Sequence, residues 1–255
     1  MINYFLENFQ SNWSATLTSL KPWLPLLAIA TLVEIFRPGR KLKAKSTIGN
    51  FIYLPVALTL GATILGPAIH WGNMQLPHDI IHLRSFSDGL LGGALVWIAY
   101  LALFDFFYYW FHRAQHQIPF MWKFHMVHHT DENVSASSVG RHHWLEEGFR
   151  YFFITAPLII IMGESSQMPI LATSYIIFNG VLMHWNTSFR FGLLEKIIIT
   201  PAYHRIHHSI EEKHFDKNFG VFTQTWDNLF KTRHIPTQEE YPATGVSNIS
   251  EEKTL

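Results

Sequence analysis

The sequence of 255 residues contains no cysteine. Disulfide bonds, zinc sites built on thiolates and cysteine-ligated iron–sulfur clusters are therefore excluded. A glycine-rich dinucleotide fingerprint is also missing, so the chain offers no such motif to a flavin or NAD. Any metal that this chain binds must take its ligands from histidine nitrogen or from carboxylate and carbonyl oxygen.

Charged residues are scarce as well. They make up 15% of the chain, against 48% hydrophobic residues, and the formal net charge is zero. A balanced charge argues against a nucleic-acid-binding protein that uses a large basic face. So little charge beside so much apolar surface is lean for a soluble protein and favours a membrane protein.

Long apolar stretches predict an all-α integral membrane protein with about four membrane segments. The stretches lie at about 22–36, 50–71, 90–111 and, as a hairpin, 151–185. We expect one membrane domain over residues 1–236 with a cytosolic, histidine-rich helical cap. A polar and mobile tail is expected over 237–255. Residues 1–20 lack a basic start and a small-residue cleavage site, so no cleavable signal peptide is expected.

The distribution of basic residues predicts the orientation. Residues 37–45, between the first two stretches, carry five basic side chains and no acidic one. By the positive-inside rule this loop is cytoplasmic, and the third stretch then returns to the cytoplasm at His112. The topology predicts the histidine-rich cap on the cytoplasmic face, in a bacterial cytoplasmic membrane rather than the endoplasmic reticulum.

Eight of the 16 histidines form three clusters with helical spacing. The clusters are His112 and His116; His125, His128 and His129; and His204, His207 and His208. Residues three or four apart share one face of a helix, so each cluster can direct two rings at one metal. Adjacent histidines are offset by one helical step, so their rings can address two different metals. The pattern therefore predicts a two-metal site, and neutral imidazole suits zinc, iron, copper and nickel alike.

Further candidates surround the clusters. His143 and His184 are candidate ligands, and the carboxylates of Asp105 and Glu146 are candidates for orienting a ligand histidine. For Asp105, contact with interfacial water is the alternative. Thr200 and Pro201 predict the start of a helix that carries the third cluster. We leave the roles of His142 and His214 open. We expect no role in metal binding for His70, His78, His82 and His234.

The histidine clusters and their flanking residues resemble the fatty acid hydroxylase/sterol desaturase superfamily of integral-membrane di-iron oxygenases. The resemblance spans roughly residues 30–235 and rests on these stretches: 105–116, 122–129, 141–143, 184–186, 200–208, 218–220 and 226–230. It implies eight clustered histidines as catalytic metal ligands, with His143 and His184 added, and Asn186 beside the ligands. Trp144 stands where relatives often have proline.

The resemblance also implies a reaction. Two iron ions, which zinc can replace in purified protein, would activate O2 to hydroxylate or desaturate a membrane lipid. The lipid could be a sterol, a fatty acyl chain or an ether lipid. Because the chain carries no electron-transfer cofactor motif, a separate donor is implied, namely a ferredoxin, a cytochrome b5-like protein or a reductase. The sequence predicts no oligomeric state.

Two other classes of protein would also use histidines in a membrane. A histidine-rich metal transporter or metal-binding protein without oxygenase activity would place ionisable ligands near the bilayer midplane, whereas these clusters lie at the ends of apolar stretches. A haem-binding electron carrier needs one or two axial histidines and would leave most of the eight unexplained.

Overall fold

The chain is mostly helical in the residues that the structure describes. The computed structural model describes residues 2–77, 80–81, 88–163 and 168–247. Within these ranges no β-strand is present, and extended backbone pairs only in two isolated bridges. The all-α prediction is therefore confirmed. The predicted bystanders His78 and His82 lie outside the described residues.

Three helical runs among the described residues are long and apolar enough to cross a membrane, judged by length and composition alone. They are Ile2–Phe36, Ala44–Ile64 and Gly89–Gln117. In the third run, Leu90, Leu95 and Ile98 are more than half exposed. Exposed apolar side chains in such numbers mark a surface that faces lipid rather than water. The chain is an integral membrane protein.

The first two runs differ in their bounds from the apolar stretches. Helix precedes the stretch at 22–36: α1 (Ile2–Leu20) leads through a 3₁₀ turn (Lys21–Trp23) into α2 (Leu24–Phe36). The stretch at 50–71 is divided between α3 (Ala44–Ile64) and α4 (Gly66–Gln75). Polar residues at the outer turns of these helices hide the true bounds from a hydropathy scan.

The third run is one helix, α5 (Gly89–Gln117), which continues past the apolar stretch. His112 and His116 therefore lie on the same helix as the apolar residues. The predicted hairpin consists of a π-helical turn (Tyr151–Thr155), α8 (Ala156–Met162) and α9 (Met168–His184). α9 follows residues 164–167, which lie outside the described part of the chain.

The remaining helices are short and carry or surround the histidines. They are α6 (Pro119–His129), α7 (Glu146–Arg150), α10 (Pro201–His207) and α11 (Thr225–Leu229), with 3₁₀ turns at Ala136–Gly140, Gly192–Lys196 and Glu212–His214. The predicted start of α10 is confirmed, because the Thr200 side chain caps it by accepting a hydrogen bond from the backbone N–H of Tyr203 at 3.4 Å. A buried apolar core that includes Phe111, Ile199 and Tyr203 packs beside these helices.

A buried carboxylate joins the first membrane run to the cap. Glu34 of α2 is 0% exposed. Its Oε1 accepts hydrogen bonds from the backbone N–H groups of Ala136 and Asn186, both at 2.7 Å. An unpaired backbone N–H in the interior is costly. These bonds therefore fix the chain at Ala136 and at Asn186 against α2.

The segment after residue 237 contacts the cap as far as it is described. The backbone N–H of Gly245 donates to the carbonyl of His208 at 3.2 Å, and Arg205 donates to the carbonyl of Pro242 at 2.9 Å. The guanidinium of Arg205 also lies 4.1 Å from the ring centroid of Tyr241. Residues 241–245 thus contact α10 and the residues that follow it, and residues 248–255 lie outside the described part. The mobility predicted for residues 237–255 stays a prediction.

Candidate metal centre

The first group of histidines joins three helices. His112 and His116 lie one turn apart on α5, His125 and His129 lie one turn apart on α6, and His207 ends α10. One ring nitrogen from each of the five lies within 4.8 Å of the others. Four of the five are buried side chains and His116 is partly exposed. This is a compact set of nitrogen donors.

The second group of histidines differs from the first in that one of its members, His184, comes from the hairpin. Its members are His128, His184, His204 and His208, all buried, and their ligand atoms again lie within 4.8 Å of one another. Three distances between Nε2 atoms are about equal. They are 3.1 Å from His184 to His128, 3.0 Å from His184 to His204, and 3.0 Å from His204 to His208.

Two adjacent pairs of histidines divide between the groups. His129 belongs to the first group and His128 to the second. His207 and His208 divide in the same way. The rings of His129 and His208 stack with centroids 4.4 Å apart, so the two groups are neighbours. Two ions bound here would be close enough to act on one small molecule together.

Hydrogen bonds at Nδ1 hold several rings of the first group. The Nδ1 of His112 lies 3.0 Å from the carbonyl oxygen of Phe219, and that of His207 lies 2.9 Å from the carbonyl oxygen of Lys217. A carbonyl can only accept, so each Nδ1 carries the proton and each Nε2 keeps its lone pair. This is the tautomer that a metal-binding histidine needs.

The Nε2 atoms of the first group test whether a metal fits. All five are buried, and none has a hydrogen-bond partner among the described residues. Buried polar atoms are nearly always paired in folded proteins, so five unpaired nitrogens close to one another fit the donor set of a metal ion. The five residues are His112, His116, His125, His129 and His207.

The nitrogen atoms of the second group also fit a metal ion, on the evidence of their hydrogen-bonding contacts. The Nδ1 of His184 lies 2.7 Å from the carbonyl oxygen of Gly180, so its Nε2 carries a lone pair. That lone pair faces the Nε2 atoms of His128 and His204. One nitrogen cannot serve as the acceptor and the donor of several such contacts, whereas a shared cation would satisfy them all.

Burial keeps these imidazoles uncharged. It lowers the pKa of His128, His204 and His208 well below the ordinary value, and neighbouring histidines lower it further. The pKa of His207 falls to about 3, chiefly because of burial. Neutral rings offer lone pairs at neutral pH, so the centre is ready for a divalent or trivalent cation.

A buried carboxylate supports one ligand of the first group. Glu146 is 1% exposed, and its Oε2 lies 2.6 Å from Gln115 Nε2, 3.2 Å from His125 Nδ1 and 3.3 Å from His142 Nδ1. Burial raises its pKa, but the nearby His142 and the bond from His125 outweigh burial and hold the pKa well below its usual range. Glu146 is therefore ionised and orients His125.

The other candidate supports have different partners from those expected. Within the described part of the chain Asp105 forms no hydrogen bond with a histidine: its carboxylate accepts from the backbone N–H of Phe222 at 2.9 Å and from the Thr223 hydroxyl at 2.8 Å. Asn186 accepts from the backbone N–H of Arg40 at 3.0 Å and joins loops rather than rings. Both residues shape the backbone that surrounds the centre.

His143 lies outside both groups, and its neighbour is closer to them. The ring of His143 contacts Phe124 and Trp144. The ring of His142 stacks on His128, with centroids 4.3 Å apart and an angle of 12° between the planes. The structure thus brings together nine of the ten predicted metal ligands, adds His142 at their edge, and leaves His143 aside.

A loop that no sequence argument had assigned to the site holds the carbonyl groups behind the histidines. Asp227 accepts from the backbone N–H groups of Phe219 and Gly220, both at 2.8 Å. A Cβ atom at Gly220 would lie 2.5 Å from the carbonyl oxygen of Thr223, so only glycine fits. In the sequence, this loop could have been recognised from the Asn-Phe-Gly stretch at 218–220 followed by Trp226 and Asp227.

An apolar cavity of about 250 Å³ adjoins the second group. His142 and His184 line it on the side of the metal centre. Its other walls include Leu27, Leu54 and Tyr108 from the membrane helices and residues of the segment 139–150. A second crevice of about 30 Å³ touches the first group at His116, His129 and His207 and shares no lining residue with the cavity.

The fold and the site define a class of protein: an integral-membrane helical protein with a candidate two-metal centre built from histidine. Residues 97–232, more than half of the chain, match the fatty acid hydroxylase family. The chain belongs to this family, and the expected superfamily is confirmed.

Named relatives agree with this assignment. The chain is 31% identical to the alkylglycerol monooxygenase of Xenopus tropicalis over 56% of its length, and 32% identical to the human alkylglycerol monooxygenase over 65%. It is 29% identical to the ornithine lipid hydroxylase OlsE of Rhizobium tropici over 58% of its length. The matched regions span 31%, 37% and 44% of these relatives. No solved structure matches the chain.

Proposed function

We propose that this protein is a membrane-bound oxygenase that uses two iron ions and O2 to oxidise a C–H bond of a lipid. The observation that carries the proposal is the pair of neighbouring histidine groups with unpaired, buried nitrogens beside an apolar cavity. Relatives that are named as an alkylglycerol monooxygenase and an ornithine lipid hydroxylase support a lipid substrate.

Each ion would have its own set of ligands. His112, His116, His125, His129 and His207 would hold one, and His128, His184, His204 and His208 the other. Iron bound in such sites would supply the reduction of O2 and the oxidation of an otherwise unreactive C–H bond. An all-nitrogen site also accepts zinc, so the metal in purified protein depends on how the protein is made.

The residues around the ions would prepare the substrate. The apolar walls of the cavity, including Leu27, Leu54 and Phe104, would bind a lipid chain and exclude water. His184 belongs to the second group and also lines the cavity, so a chain bound there would lie against the metal centre. The crevice at the first group has room for about one water or O2 molecule.

Electrons must come from another protein. Each turnover of an O2-dependent hydroxylation or desaturation takes two electrons from a donor. This chain has neither cysteine for an iron–sulfur cluster nor a dinucleotide fingerprint. A ferredoxin, a cytochrome b5-like protein or a reductase would dock on the face where the histidine groups lie. The basic loop at 37–45 favours the cytoplasmic face. We place the protein in a bacterial cytoplasmic membrane.

Metal analysis combined with a turnover assay tests the proposal. Protein purified after growth with iron should contain about two non-haem irons per chain and consume O2 when a lipid and a reductase system are supplied. His128→Ala and His207→Ala should each abolish turnover while the protein remains inserted in the membrane. Retained turnover in either variant contradicts the proposal, and metal flux into proteoliposomes without O2 consumption would favour a transporter.

A further inference from the structure

Two charged side chains lie in the wall of the apolar cavity. Glu147 and Arg150, on α7 and one turn apart, both line it. Their side chains are 35% and 31% exposed, respectively. The Arg150 Nη1 and the Glu147 Oε1 are 3.6 Å apart, which is an ion pair but too long for a hydrogen bond. A charged pair is an unusual component of a cavity whose other walls are largely apolar.

Within the described part of the chain, one nitrogen of the pair is buried without a hydrogen-bond partner, and the remaining polar atoms of both side chains are free to meet a ligand. Among the described residues, no hydrogen bond is made by the guanidinium of Arg150 or by the carboxylate of Glu147, and the Nε of Arg150 is buried without a partner. A guanidinium has five N–H donors and a carboxylate has about four acceptor positions. A ligand in this cavity can supply what both side chains lack.

The position of the pair relates the ligand to the metal centre. Arg150 lies four residues after Glu146, which holds His125, and this is a rise of about 6 Å along α7. His142 and His184 line the same cavity. A polar group bound at Arg150 therefore places the carbons next to it near the histidines, and the rest of the chain among the apolar walls.

We propose that Glu147 and Arg150 bind the polar head of the lipid substrate, and that this head carries no net charge and offers both a donor and an acceptor. A vicinal diol, an amide or a zwitterionic amino-acid head has this chemistry. The ion pair is itself neutral, so a head with net charge would leave one uncompensated charge in an apolar cavity. This inference rests on the proposed function and fixes the oxidised carbon within a few bonds of the head.

Binding measurements test the chemistry of the head without turnover. The probes are three amphiphiles with the same chain: monododecanoylglycerol, dodecanoate and dodecylammonium, titrated into iron-loaded protein in a non-ionic detergent. We expect the neutral monoacylglycerol to bind at least tenfold more tightly than either ion. Equal or tighter binding of dodecanoate or dodecylammonium by the unmodified protein would overturn the inference.

Variants assign the effect to the pair. Arg150→Gln leaves the carboxylate of Glu147 alone and should shift the preference toward dodecylammonium, whereas Glu147→Gln should shift it toward dodecanoate. Arg190→Gln is the matched control, because Arg190 pairs with Glu195 away from the cavity. If all three variants bind the probes as the unmodified protein does, the pair has no role in recognition.

The position of oxidation gives a second readout that needs no variant. With monoacylglycerols of ten to sixteen carbons, the oxidised carbon should stay at a fixed number of bonds from the head. A position that is constant from the methyl end would overturn the inference while leaving the oxygenase proposal intact. If no lipid is oxidised, the proposed function fails and the binding measurements still decide this inference.

Discussion

The Nδ1 of His125 donates a hydrogen bond to the carboxylate of Glu146 at 3.2 Å, and both side chains are only 1% exposed. The carboxylate comes from α7 and the histidine from α6, so the bond also positions one helix against the other. It leaves the Nε2 of His125 directed at the first histidine group.

Replacement of the Glu146 carboxylate should weaken the binding of one metal ion more than that of the other. Glu146→Gln removes the charge that holds His125, and loss of such a support typically costs about 10–100-fold in metal affinity. We expect about one of the two ions to be lost at chelator concentrations that the unmodified protein resists. Iron per chain after dialysis against graded chelator measures this. Glu132→Gln, at an exposed pair with Lys43, is the control; equal resistance of both variants would contradict the prediction.

Adjacent histidines should affect different ions. His128→Ala removes a ligand of the second group and His129→Ala a ligand of the first, so each variant should bind about half the metal of the unmodified protein. The double variant should bind almost none. Metal content by mass spectrometry of the purified protein checks this. An unchanged metal content in either single variant would show that the division into two groups is wrong.

His142 and His143 should behave differently although they are neighbours. The ring of His142 stacks on His128 and its Nδ1 lies 3.3 Å from Glu146, so His142→Ala should lower metal retention several-fold. His143→Ala should leave metal retention unchanged, because its ring contacts Phe124 and Trp144 instead. The chelator titration reports both. A larger loss in His143→Ala would restore His143 as a ligand.

Glu240 should make the attachment of residues 240–245 depend on pH. Burial raises its pKa, but hydrogen bonds from His234, Lys213 and His214 outweigh burial and hold the pKa well below the usual range. Because the pKa of Glu240 is lower in the folded than in the unfolded protein, its ionised carboxylate stabilises the folded state above the unfolded pKa of about 4.3. This stabilisation is lost as the pH falls from that value through the lower folded pKa. The protection of backbone amides near Tyr241, which is their exchange rate relative to an unstructured amide at the same pH, should therefore fall progressively below about pH 4.

A variant separates this attachment from other effects of acid. Glu240→Gln should reproduce this loss of protection at pH 7, where the imidazoles of the metal centre remain neutral. Glu212→Gln is the control, because Glu212 is exposed and lies in the same region of the chain. Slow exchange near Tyr241 in Glu240→Gln would mean that backbone contacts such as Gly245 to His208 suffice without the carboxylate.

Local spacing predicted the helices and the clustering of the histidines well. The intervals within each cluster are those of one helical turn, and the division of His128 from His129 follows from a single helical step. The helix cap at Thr200 depends on two neighbouring residues and could be predicted from the sequence equally well. These features depend only on contacts within a few residues, and a single sequence contains that information.

Contacts between distant parts of the chain were not accessible in this way. Asp105 binds the backbone of residues 221–223, and Glu34 binds residues 136 and 186, at separations that no periodic pattern encodes. His142 and His143 lie in a loop whose backbone is not helical, so spacing could not decide which ring faces the centre. The polar composition after residue 237 concealed contacts that depend on Glu240 and Tyr241.

The length of α5 links the metal centre to the bilayer in a way that sequence motifs alone do not express. Its 29 residues extend about 43 Å, against a hydrocarbon thickness of about 30 Å. The helix carries the lipid-facing Leu90 at one end, Tyr108 of the cavity further along, and His112 and His116 at the other end. Because Tyr108, His112 and His116 lie on this one helix, a change in its tilt in a thinner or thicker membrane would move this part of the cavity wall and these two candidate ligands together. The spacing along α5 from the cavity residue Tyr108 to these two candidate ligands is therefore independent of the thickness of the membrane.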